Sequence, residues 1–308
     1  MRVAALLLFA CGVFAQDTPV FKTDVLLVHV DAEVTGPDGR TLTGFSKEDF
    51  RVLDDGQEQP IVHFSAGEEA LDLILLFDVS GSMRPKVQEV AAAAREGVQE
   101  LRSGDRVAVM VFNTHARMLL RFTDDLEAVR RSIEGDVMGM RFAGGTFIQN
   151  AVSDAARRLM RQPRTERRRA VLIITDDFGQ RTRKESSVVR ELWEADALLT
   201  GLIVRTKAVQ TARTIGTIMN PYLIGLQAGV KGITEKTGGD FIQAGDAGAD
   251  FQESMRRIRN RYSIYYRMPV AKPQTHRVLH VELSAEAARR HPRARVRART
   301  GYITPATP

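Results

Sequence analysis

The sequence is short of the residues that most often announce a chemistry. It has one cysteine, one tryptophan, and six histidines in 308 residues. The single cysteine, Cys11, rules out an internal disulfide framework and a multi-thiolate metal site. The histidines stand at 29, 63, 115, 276, 280 and 291, and none forms H-E-x-x-H or a related ligand pattern. His276 and His280 have helical spacing, but the surrounding "RVLHVEL" reads as a strand, so they are not expected to share a face. Aromatic residues make up only 6%, with no stacking platform among the basic residues. Beyond the first residues there is no apolar run of membrane-spanning length.

What the chain has in quantity is arginine. The net charge is +6 and basic runs fall at 164–169, 256–261 and 289–299. They are interleaved with acids and accompany no nucleic-acid motif. The expectation is therefore a solvated basic surface and no nucleic-acid partner. The apolar fraction of 44% is that of a chain with a proper core. At the N-terminus, Met1-Arg2 followed by "VAALLLFACGVFA" has the form of a signal peptide, with cleavage expected after Ala15. Cys11 would leave with it, and lipid anchoring through "LFAC" is not expected. The mature chain is then periplasmic or secreted.

The pattern divides the rest into three. Residues 16–69 alternate apolar and polar positions between Pro-Asp-Gly and Asp-Asp-Gly turns, which predicts antiparallel hairpins, with Ser46 capping a one-turn helix in "SKEDF". Residues 70–262 change period: "LDLILLFDVS", "DRVAVMVFN", "RRAVLIITDD" and "LLTGLIVR" read as buried strands separated by helical stretches. This predicts an α/β domain built on a doubly wound, mostly parallel sheet. The stretch 206–222 reads as a long loop. Residues 263–308 return to strand character, and pairing with the N-terminal strands would give a small β-sandwich into which the α/β domain is inserted.

In such sheets ligands bind beyond the carboxyl ends of the strands. There the sequence places "DVSGS", with Asp78, Ser80 and Ser82; "AGGT", with Thr146 at a helix start; and "TDD", with Asp176. Singly these are ordinary turn and cap residues. Together they form an oxygen-only set suited to a hard divalent cation such as Mg²⁺. The D-x-S-x-S pattern with the later Thr and Asp resembles the metal-ion-dependent adhesion site (MIDAS) of von Willebrand factor type A domains. The flanks "TGFSKEDFRVLDDG" and "RVRARTGYITP" are similar to exported VWFA-related Acidobacterial-domain proteins.

The resemblance implies that Ser80 and Ser82 ligate the metal directly, that Thr146 does so in the ligand-bound form, and that Asp78 and Asp176 act through waters. It implies Mg²⁺, with Mn²⁺ or Ca²⁺ as alternatives, and a protein partner whose Asp or Glu completes the coordination. Gly81 would allow the turn between the serines, and Gly144 and Gly145 a close backbone approach. One position departs from the family: Asp177 stands where a glycine commonly follows the last Asp, and it would either add charge near the metal or turn away. A binding module is therefore the expected function. A structural role, in which the metal only stabilises the domain, is the alternative. An enzyme is not expected: no G-x-S-x-G frame surrounds either serine, and Ser80 occupies the place where an Asp-nucleophile phosphatase needs its second Asp.

Overall fold

The computed structural model describes residues 26–163, 166–206, 211 and 229–306. The expected signal segment and nearly all of the 206–222 loop lie outside the described residues. Fifteen strands are present among those described: β1 (Leu27–Thr35), β2 (Thr41–Leu42), β3 (Phe50–Asp54), β4 (Gln57–Gln59), β5 (Ile61–Ala66), β6 (Leu71–Asp78), β7 (Arg106–Phe112), β8 (Ala116–Thr123), β9 (Arg168–Thr175), β10 (Ala197–Val204), β11 (Phe241–Ala244), β12 (Tyr262–Arg267), β13 (His276–Leu283), β14 (Arg295–Ala298) and β15 (Gly301–Ile303). The α-helices are α1 (Val87–Gly97), α2 (Leu126–Arg131), α3 (Ile148–Met160), α4 (Glu185–Glu194), α5 (Val230–Thr237), α6 (Ala247–Arg259) and α7 (Ala285–Arg290).

The central sheet has the order β11-β10-β9-β6-β7-β8 and is parallel except for the edge strand β8. Its middle strands are apolar throughout because helices cover both faces. Alternation within β6 shows this directly. Leu73, Leu75 and Phe77 face a cluster shared with α1 and α6, while Ile74 and Leu76 face a cluster shared with α3, α4 and α5. Each such side chain, once fully buried, contributes roughly 1.5–3 kcal/mol. Chain direction sets the site: β6 is followed on one side by β7, and the chain then crosses to lay β9 on the other. The switch point falls between the carboxyl ends of β6 and β9.

The two ends of the chain build two antiparallel sheets together. One has the order β14-β1-β12-β5 with β2 against β1, and the other β15-β13-β3-β4. Val30, Val52, Ile264, Val281 and Tyr302, drawn from both sheets, pack in one apolar cluster. The 3-10 turn Lys47–Asp49 forms where predicted, with the Ser46 amide donating to the Asp49 carboxylate at 2.8 Å. In the C-terminal part, α6 stops at Arg259 and β12 begins at Tyr262. The "AEAARR" stretch, within the part expected to have strand character, instead forms α7, with the Ser284 hydroxyl accepting from the Ala287 amide.

The arginine runs are also corrected. Arg168, Arg169, Arg259 and Arg261 are buried, not solvated. Arg168 meets Asp31 of β1 at 2.5 Å and donates to the Ile258 and Arg259 carbonyls that end α6. Arg261 bridges Asp240 at 2.7 Å and Glu33 at 3.3 Å, with its own side chain fully covered. Arg259 pairs with Asp105 at 3.1 Å. A buried guanidinium needs both a counter-charge and acceptors for its other donors. The junction between the central sheet and the terminal sheets supplies the counter-charges, while among the described residues Nε of Arg259 and of Arg261 is buried without a hydrogen-bond acceptor.

Candidate metal centre

The five residues singled out in the sequence occupy three loops at the switch point. Asp78 ends β6 and is buried, because the strand carries it below the rim of the sheet. Its Oδ1 accepts from the Ser80 amide at 2.8 Å, so the carboxylate shapes the turn that presents the serines. Ser80 Oγ and Ser82 Oγ lie 3.2 Å apart. Asp176 follows β9 directly; its Oδ1 accepts from the Phe178 amide at 3.2 Å, and the Ser82 hydroxyl also bonds to its carboxylate. The first two loops thus form one hydrogen-bonded cluster.

Thr146 joins this cluster through its backbone. The Ala143 amide donates to Val79 O at 3.2 Å, the Phe147 amide donates to Asn113 O at 2.9 Å, and the Gln180 amide donates to Thr146 O at 3.2 Å. Among the described residues no hydrogen bond links the Thr146 hydroxyl to the other four side chains. Nor does it cap α3, as its position before the helix suggested: the capping position is Phe147, with no side-chain cap. A buried hydroxyl with no capping duty is free to face a cation.

The glycines divide differently from the sequence reading. Gly144 has φ +87° and needs glycine for that reason. Gly81 has no left-handed φ, and a Cβ there would meet Ala143 Cα at an ordinary 4.0 Å, so the serine turn does not require it. The close approach lies instead at Gly179, where a Cβ would sit 2.4 Å from Thr146 O. Asp177 turns away from the serines. It adopts φ +52°, which explains the glycine preference at this position, and its Oδ1 accepts from the Val230 amide at the start of α5.

Two further side chains at the site escaped the sequence reading. Thr175 Oγ1 donates to Asp78 Oδ2 at 2.6 Å, and Thr206 Oγ1 donates to Asp176 Oδ2 at 3.4 Å. Thr175 sits in the last position of β9, beside the end of β6 in the parallel register, so strand pairing alone could have pointed to it.

The electrostatics test whether a cation fits. Among the described residues neither Asp78 nor Asp176 has an ion-pair partner, although the chain spends arginines freely elsewhere. Burial pushes the Asp78 carboxyl up to about 7; the charge of Asp176 adds to the rise, and the Ser80 and Thr175 bonds only partly offset it. Asp176 is also raised by burial, against bonds from Ser82, the Phe178 amide and Thr206. Two buried carboxylates without a counter-charge, flanked by three hydroxyls, form an oxygen-only, cation-seeking set. Among the described residues no cluster of three or more His, Cys, Asp or Glu side chains forms a metal site. A centre here would have to draw on the hydroxyls.

The doubly wound sheet carries an oxygen-lined set of side chains at its switch point. Residues 73–180 match the family model of the von Willebrand factor type A domain, a span that holds all five residues. The chain therefore contains a von Willebrand factor type A domain. No curated protein matches the chain. Solved structures with a similar fold include an aerotolerance-related membrane protein of Bacteroides fragilis carrying multiple mutations to serine. It is 15% identical over 61% of this chain and 98% of that one, with a TM-score of 0.45. The conserved hypothetical protein BatB of Bacteroides thetaiotaomicron is 16% identical over 61% and 97%, with a TM-score of 0.47. Proximal thread matrix protein 1 of the mussel byssus, with a zinc-occupied MIDAS motif, is 16% identical over 67% and 50%, with a TM-score of 0.48.

Proposed function

We propose that this chain is an exported binding protein that recognises a carboxylate of a protein partner through a divalent cation at the switch point. Ser80, Ser82 and Thr146 would hold the ion directly, with Asp78 and Asp176 behind them. The observation that carries this reading is the uncompensated pair of buried carboxylates, Asp78 and Asp176, beside three hydroxyls. Neutral hydroxyls leave most of the cation's charge unspent, so the bound ion attracts an incoming Asp or Glu. Mg²⁺ is the ion that best suits such a set, with Mn²⁺ or Ca²⁺ as alternatives.

Binding without turnover is part of the proposal. Among the described residues no hydrogen bond joins Ser80 or Ser82 to a histidine or lysine, so neither serine has a base. The signal segment ending at Ala15 would deliver the protein outside the cytoplasm. The terminal sheets would form a small β-sandwich carrying the domain. The test is calorimetric titration of the full mature chain with Mg²⁺ and Mn²⁺, followed by capture of Asp-containing peptides with and without chelator. The proposal expects saturable ion binding that Asp78→Ala abolishes, and peptide capture only with the ion present. Ion binding unchanged in Asp78→Ala would overturn it.

A further inference from the structure

Beside the metal centre runs a groove of about 730 Å³, lined by Arg84, Met138, Met140, Arg141 and Phe142. It adjoins the site through its loops. Arg84 lies two residues past Ser82, and Arg141 and Phe142 lead into the loop that carries Thr146. The backbones of these loops meet at Gly81 and Ala143.

Two features of the groove bear on what it could bind. Its arginines are bare: among the described residues neither Arg84 nor Arg141 makes an ion pair, and Arg117 at the edge donates only to Met140 Sδ, at 2.8 Å. Acids close by in sequence are already engaged, Glu89 with Lys86 and Asp136 with Ser132. The buried arginines Arg168, Arg259 and Arg261, by contrast, each meet an acid. The second feature is the apolar floor. Met138 is exposed, and Met140 and Phe142 are half-buried, at the mouth of a charged site. Unbranched thioethers adapt to varied apolar shapes, which suits a surface that receives a side chain.

We propose that this groove binds the partner segment flanking the metal-bound carboxylate, and that the segment is acidic and carries one apolar residue. This rests on the carboxylate-binding reading above. The apolar residue enters between Met138, Met140 and Phe142, and the acids meet Arg84 and Arg141. A cation at the centre would add its charge to the two unpaired guanidiniums alongside, and both would favour an acidic ligand. Selection of partners then comes from the groove, because the ion alone accepts any carboxylate.

The experiment is selection of a displayed peptide library, one fixed Asp between six randomised positions, on the full mature chain in Mg²⁺. The expected result is enrichment of Asp and Glu, with Leu, Met or Phe at one flanking position. The double variant Arg84→Glu/Arg141→Glu should still bind Mg²⁺ saturably and shift the enrichment to Lys and Arg. Each single reversal should weaken the best acidic peptide by roughly tenfold. Arg84→Gln/Arg141→Gln, which keeps side-chain size, should lose the acidic preference without gaining a basic one. Mg²⁺-dependent peptide capture with no flanking preference, or with the same preference in both double variants, overturns the groove proposal and leaves the metal reading standing. Absence of any Mg²⁺-dependent capture overturns both. Chelator-resistant binding of a dT20 oligonucleotide, lost in the double variants, would instead make the groove a nucleic-acid site and also overturn the proposal.

Discussion

Replacing Asp78 by Asn should make the chelator-treated protein more stable at alkaline pH. The reason lies in the burial of a carboxylate that no cation of the protein balances. Asp78 rises from 3.8 to about 7 on folding, chiefly because burial disfavours its charge. The folded state therefore holds a proton between these values that the unfolded state has released. Stability from this group falls as pH rises through that window. A rise from 3.8 to about 7 corresponds to about 4 kcal/mol once pH exceeds 8. Asn removes the charge and keeps the bonds: its carbonyl can accept from the Ser80 amide, and its amide can donate to Thr175 Oγ1.

The assay is denaturant unfolding of parent and Asp78→Asn in chelator at pH 4.5, 6 and 8. The variant should lead by only about 1 kcal/mol at pH 4.5 and by about 4 kcal/mol at pH 8. Adding Mg²⁺ at pH 8 should restore the parent and leave the variant unchanged, since binding to the folded state alone stabilises by mass action. A variant no more stable than the parent at pH 8, or a parent whose stability in chelator does not fall from pH 4.5 to 8, would refute the reasoning.

Other outcomes follow from the same geometry. Gly179→Ala places a methyl 2.4 Å from Thr146 O and should displace that loop, weakening Mg²⁺ binding by at least roughly tenfold and stability by about 1–3 kcal/mol, read by calorimetry and unfolding. Arg261→Met leaves Glu33 and Asp240 buried with one cation fewer and should cost about 3–5 kcal/mol in denaturant unfolding. His29 gains a proton on folding: burial opposes this, but Asp196 and Asp31 outweigh it and lift the imidazole to about 10. Its contribution to stability is full below about 6.5 and lost as pH rises through about 10. An NMR titration should find His29 still protonated at pH 8.5, whereas a neutral ring there would refute the pairing.

The candidate site was legible because its residues follow strands whose apolar runs cannot be mistaken for surface. An Asp and two serines after "LDLILLF", and an Asp after "AVLIIT", could only fall at one end of a parallel sheet. Thr175 and Thr206 were not legible, because a single hydroxyl at a strand end carries no spacing signal until a neighbouring strand lies beside it. The arginine runs misled for a related reason. Arg168 and Arg261 sit among exposed arginines in sequence, and only the distant acids Asp31, Glu33 and Asp240 account for their burial. The helix α7 was hidden by its length, since six residues give too few turns for periodicity to register.

By itself the sequence determined the alternation of buried strands and amphipathic helices, the order of the central elements and the identity of five oxygen-bearing residues. These depend on local patterns, and a strand covered on both faces must be apolar wherever it lies. The tertiary structure decided what those residues share. It set Asp78 and Asp176 together without a counter-charge, turned Asp177 toward α5 and spared Thr146 from capping α3. It also left Arg84 and Arg141 bare along a groove beside the site. Burial and pairing are relations between residues far apart in the chain, and electrostatic cost follows those relations rather than sequence order.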